Sequence, residues 1–104
     1  MPRYKLFLEP EVHEARKQLP GHIRQRVKQA IGDLAHEPRP AASRALDRTG
    51  LDLPIGIELR RLRLETWRIL YAVSEEENWV WVLGIRRRPP YDYEDLTDVV
   101  AKVC

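Results

Sequence analysis

The segment RYKLFLE (3–9) sets Tyr4, Leu6 and Leu8 against Arg3, Lys5 and Phe7, and this period of two predicts a short strand. The period then lengthens. Pro10 suits the first turn of a helix, and Val12, Ala15 and Leu19 follow at helical spacing on one face. LPGH (19–22) interrupts the pattern. Beyond it Ile23, Val27, Ala30, Ile31 and Leu34 form an amphipathic stripe, the mark of a second helix laid on a core. Pro38 and Pro40 are expected to end it. Residues 38–56, punctuated by Pro38, Pro40, Gly50, Pro54 and Gly56, read as an irregular connection. A loop of that length in a small domain carries function or hides a short strand.

From residue 57 the period is two again. IELRRLRL (57–64), TWRILYAV (66–73) and WVWVLGIR (79–86) predict three strands, with SEEEN (74–78) as the clearest hairpin turn. The last two are apolar on both faces. Trp67, Ile69, Tyr71 and Val73 oppose Leu70 and Ala72, while Trp79, Trp81, Leu83 and Ile85 oppose Val80 and Val82. Such strands belong in the middle of a sheet with at least one face under helices. Leu96, Val99, Val100 and Val103 predict a short C-terminal helix, with Asp92, Glu94 and Asp95 near its start, where the helix dipole favours acids. The order is β-α-α-β-β-β-α. The expected fold is α+β: a mainly antiparallel four-stranded sheet with two N-terminal helices and a short C-terminal one.

The 104 residues suffice for a single domain over 1–104 and not for two. With 43% hydrophobic and 33% charged residues the chain fits a globular protein and not a disordered one. No apolar run reaches the ~20 residues that span a bilayer, and the N-terminus lacks a signal-peptide core, so no membrane partner is expected. Cys104 is the only cysteine, which rules out an internal disulfide and suits a reducing, cytoplasmic location. The net charge of +2 hides a strong asymmetry. Residues 57–88 hold seven arginines and no lysine, whereas residues 89–104 carry four acids against one lysine.

Arg68 and Arg86 interrupt otherwise apolar strands. A mid-strand arginine is costly to bury unpaired, so two on neighbouring strands most simply share one solvent-facing surface. Arg61 and Arg63, two apart, also share a face. Converging guanidinium groups rimmed by Tyr91 and Tyr93 fit a phosphate backbone, with phenol rings to stack on bases. The competing reading pairs Arg68 with Glu58 or Glu65 and gives it a purely structural role. Trp79, Trp81 and Tyr71 read as core before they read as a stacking platform. The three histidines (13, 22 and 36) lack metal-ligand spacing, and no Gly-rich phosphate loop or activated serine is present. Neither a metal nor another cofactor is expected.

Several of these pieces resemble the RelE/ParE superfamily of toxin–antitoxin toxins: LP followed by IRQRVKQAIGDLAHEPRP (19–40), ELRRLRL (58–64), WRILYAV (67–73) and WVLGIRRRPPY (81–91). They cover most of the chain in the family's order, and Arg68-Ile69-Leu70-Tyr71 is the most specific. The resemblance implies a toxin held by a cognate antitoxin. In the RelE-like branch the activity is ribosome-dependent cleavage of mRNA; in the ParE-like branch it is non-catalytic inhibition of DNA gyrase. A superfamily member without toxicity is a third reading. Carried over by position, the resemblance implies catalytic roles for Arg61, Arg68, Arg86 and Tyr91; from the charge of the same segments, Arg60, Arg63, Arg87, Arg88 and Tyr93 are expected to contact RNA. Arg61 falls where the RelE-like branch has a lysine, and Leu59 takes the place of another. RRRPPYDY offers a choice of arginines, with Tyr93 as the alternative to Tyr91.

RNA cleavage needs no protein nucleophile. The RNA's own 2′-hydroxyl attacks the adjacent phosphorus, and the protein supplies positioning, proton transfer and cations for the developing charge. Arginines can meet the last need but not the second. The candidates for proton transfer are Tyr91 or Tyr93 with a depressed pKa, a carboxylate such as Glu58 or Glu65, or alignment by the ribosome in its place.

Overall fold

A computed structural model of the chain describes residues 3–46 and 53–87. The expected C-terminal helix, Arg88, Tyr91 and Tyr93 lie outside the described residues. Within them the order is β1 (Lys5–Leu8), α1 (Pro10–Lys17), α2 (Gly21–Leu34), β2 (Ser43–Ala45), β3 (Ile57–Leu64), β4 (Trp67–Ser74) and β5 (Trp79–Arg87). The fold is α+β, with five strands rather than four in the order β1-β5-β4-β3-β2. The extra strand is β2. It lies in the long connection and pairs antiparallel with β3, Ser43 opposite Leu62 and Ala45 opposite Arg60. Its three residues carry no legible alternation, so tertiary pairing alone creates it. Pairs β2–β3, β3–β4 and β4–β5 are antiparallel, while β1 lies parallel to β5.

Local chemistry sets the element ends. Pro10 opens α1, Glu11 lies in its first turn, and Arg16 and Lys17 close it, matching the helix dipole at both ends. Helix α2 ends at Leu34, four residues before Pro38. The β4–β5 turn closes at Asn78 with φ 56°, a conformation asparagine adopts readily, and Ser74 Oγ accepts the Glu77 N–H at 3.1 Å.

Both helices cover one face of the sheet. Val12, Leu19, Ile23, Val27, Ile31 and Leu34 pack there on Leu62, Ile69, Tyr71, Val73, Val80, Val82 and Ile85. A smaller apolar cluster occupies part of the opposite face: Leu53, Ile57, Leu59, Ala72 and Leu83, with Trp79 and Trp81 packed against it. The simple alternation expected for 79–86 therefore fails at one point. Leu70 pairs with Gly84 but Tyr71 with Val82, which leaves Leu83 as the extra residue of a β-bulge. The bulge reverses the facing of all later residues. Ile85 thus joins Val80 and Val82 under the helices instead of sharing a face with Trp79, Trp81 and Leu83.

Tyr71 is fully buried, and its phenol donates to Pro38 O at 2.6 Å, tying the central strand to the connection after α2. Burial pushes its pKa above the ordinary 10.0. A group raised in the folded state contributes stability that is complete below pH 10 and fades as pH climbs through the folded value. Tyr71→Phe leaves the Pro38 carbonyl without this donor and should cost about 1–3 kcal/mol in urea denaturation at pH 7. The variant's stability should also fall less steeply than the wild type's above pH 10.

Candidate nucleic-acid interface

The sheet face away from the helices carries the arginines in register. Arg63 pairs with Arg68, and Arg68 with Arg86, so one residue from each of three strands forms a row across the sheet. A second row runs Arg44, Arg61, Leu70, Gly84. Residues directly opposed in antiparallel strands have Cβ atoms about 4.5–5.5 Å apart and share a face. The bulge makes this possible. Without it Arg86 would continue the facing of Val80 and Val82 and end under the helices.

Arg44, Arg61, Arg63 and Arg68, with Ala41 and Ala42, line a cleft of ≈ 480 Å³ among the described residues. No acidic residue lines it among the described residues. The small side chains of Ala41 and Ala42 leave the space, and the guanidinium groups make it cationic at any working pH. The sequence gives no particular reason to single out Arg44. It lies in a segment without periodicity, and only its pairing with Arg61 reveals it.

The two central arginines are held in different ways. Arg68 Nη1 donates to Glu65 O at 2.8 Å and Trp67 O at 2.9 Å, which turns its side chain toward the β3–β4 turn. Arg86 Nη1 donates to Ile85 O at 3.1 Å, and its guanidinium folds back over Gly84. The carboxylates proposed as partners of Arg68 are engaged elsewhere. Glu58 shares Arg39 and Arg60 at 3.0 and 3.2 Å, and Glu65 pairs with Arg26 of α2. Glu58, opposite Val73, also faces the helix side of the sheet, so it is not placed as a base for this cleft.

Two expected members are not brought to this face. Arg60 lies opposite Tyr71 on the helix side, with only 12% of its side chain exposed. Its guanidinium donates to Glu58 and, at 2.8 Å, to Ser43 Oγ, a structural post. The proximity of Arg60 and Arg61 in sequence disguised their opposite facings. Arg87 pairs with Trp67 and lines a separate depression with His22, Ile23 and Glu65. Trp79 and Trp81 pack edge to face at 5.9 Å on the small apolar cluster, in keeping with a core role.

A larger hollow of ≈ 730 Å³ lies between β1, the end of α2 and the β4–β5 turn, lined among others by Arg3, Lys5, His36 and Glu77. Its charge is mixed, and it sits at the negative end of the α2 dipole, which disfavours anions. Beside it, Arg39 and the Tyr4 O–H both donate to Glu75, at 2.6 and 2.8 Å. Arg39 first, and Tyr4 second, hold the Glu75 carboxyl below its ordinary pKa. This is a brace between β1, the α2 connection and the turn.

Rows of directly opposed like charges oppose folding. Arg63→Gln should therefore raise stability by about 0.2–1 kcal/mol at low ionic strength. The gain should vanish near ~1 M salt, where screening acts within about 3 Å. Thermal unfolding at two salt concentrations checks both.

No protein-family model matches the sequence, and no curated protein matches it. Solved structures do. The archaeal RelE in its RelE–RelB complex from Pyrococcus horikoshii OT3 is similar at 22% identity and TM-score 0.73, over 86% of this chain and 99% of that one. A chain of the toxin–antitoxin complex RelBE2 from Mycobacterium tuberculosis is similar at 27% identity and TM-score 0.63, over 85% of this chain and 100% of that one. A free E. coli RelE toxin bearing two arginine-to-alanine changes matches at 18% identity and TM-score 0.62, over the whole of both chains. These likenesses give this chain a RelE-like toxin fold.

Proposed function

We propose that the protein is the toxin of a toxin–antitoxin pair and that it cleaves mRNA on the ribosome. The observation that carries this reading is the shared facing of Arg44, Arg61, Arg63, Arg68 and Arg86 on the side of the sheet away from the helices. Similarity to RelE chains solved with antitoxins supports an antitoxin partner. In this reading the cleft holds the phosphates that flank the scissile bond. The RNA 2′-hydroxyl attacks the adjacent phosphorus, a cyclic phosphate forms, and the 5′-oxygen leaves with a proton. The arginines stabilise the charge that builds on the phosphoryl oxygens. They exchange no protons at neutral pH, and with Glu58 and Glu65 engaged elsewhere, that task falls to Tyr91, Tyr93 or groups of the ribosome. Arg88 and Tyr93 remain proposed RNA contacts, whereas Arg60 and Arg87 do not belong to the proposed site.

The chemistry of the lining favours one alternative. A cleft of arginines alone binds anionic surfaces without needing to react with them, as a ParE-like inhibitor of DNA gyrase would. The two readings separate in cells. Under the first, expression halts growth by stopping translation, and primer extension on translated mRNA shows new 5′ ends. Arg68→Ala and Arg86→Ala should each lower cleavage about 10²–10³-fold, the usual loss for one transition-state donor, and restore growth with the fold intact. DNA damage with intact mRNA would establish the alternative.

A further inference from the structure

We propose that Glu11, on α1, is a positioning residue for Arg86; this rests on the reading of Arg86 as part of the phosphate-binding face. Strand β1 ends at Leu8, opposite Val82, so β5 runs on past it with its outer edge open to α1. The Glu9 N–H donates to Val82 O at 3.0 Å and starts α1 beside that stretch. Glu11 then lies in the first turn, and its Oε1 comes 3.7 Å from Arg86 Nη2. The guanidinium is gripped on other sides as well. Nη1 donates to Ile85 O, and the flat group lies over Gly84, where a Cβ would approach Nη1 to 2.6 Å.

Each element of this cradle contributes differently to Arg86. The bulge turns Arg86 to the arginine face. Gly84 supplies the room for the guanidinium to lie back along β5 and not project into solvent. Glu11 supplies the charge that fixes which way the fork turns. A long arginine side chain loses rotamer freedom when it binds, and a guanidinium already oriented loses less. Its orientation also places it where charge develops, and a displacement of about 1 Å can cost up to ~100-fold in rate. Helix α1 thereby acts on the site from the far side of the sheet.

The test uses the full chain and two readouts. Nitrogen-15 NMR follows the Arg86 Nε–H resonance in the wild type, Glu11→Gln, Gly84→Ala and Glu14→Gln. The last removes an acid from the same helix, one that pairs with Lys17 at 3.4 Å on the surface. Glu11→Gln and Gly84→Ala should shift that resonance, and Glu14→Gln should not. Primer extension should show kcat down about 10- to 100-fold for Glu11→Gln with KM within about twofold, partly recovered in Glu11→Asp. An unmoved resonance in Glu11→Gln overturns the inference, as does a rate that stays the same or rises while the resonance moves. If the wild type cleaves no mRNA, the nuclease reading fails by itself and the resonance alone decides whether Glu11 orients Arg86.

Discussion

One extra residue in the last strand organises the cationic face. At Leu83 the ladder between β4 and β5 skips a position, and the strand beyond it turns over. Before the skip, Val80 and Val82 sit under the helices; after it, Ile85 does, and Arg86 faces the other way beside Arg68. Without the bulge the sheet would have to bury a guanidinium among the side chains of α1 and α2, at several kcal/mol for an uncompensated charge. Bulges next to functional sites commonly re-aim a side chain in this manner. Here the same device serves both the apolar core and the cationic face.

Most of the architecture was legible because burial is periodic. The α2 stripe, the two hairpins and the α+β class follow from spacing alone, and Arg61, Arg63, Arg68 and Arg86 do share a face. What escaped depends on tertiary pairing. The length of the 38–56 connection points to a short strand there, but β2 has three residues and no alternation, so neither its place nor Arg44 is legible. The skip at Leu83 leaves one local trace, Gly84 inside an apolar strand, a common sign of a bulge or close approach. Charge density along the chain places Arg60 and Arg87 with the others, whereas the sheet sorts sequence neighbours onto opposite sides.

The helices do more than roof the core. Arg26 of α2 holds Glu65, a turn residue at φ 56° whose carbonyl receives Arg68, and Glu11 of α1 meets Arg86. Each arginine of the central pair is thus linked through the polar rim of the sheet to a different helix. The opposed charges of the cleft weaken the fold, and proteins commonly accept such a cost where a site needs it. The buried Tyr71–Pro38 bond and the Arg39–Glu75–Tyr4 brace lie on the helix side and at the far rim, away from that repulsion.

The decisive question is whether facing, and not proximity in sequence, defines the anion-binding set. Arginine Nε–H resonances followed by NMR while a short single-stranded RNA is added answer it directly. Arg44, Arg61, Arg63, Arg68 and Arg86 should move together along one saturation curve, while Arg60 and Arg87 stay in place. Movement of Arg60 and Arg87 along with Arg61 and Arg86, or stationary resonances for Arg68 and Arg86, would contradict the interface described for this sheet.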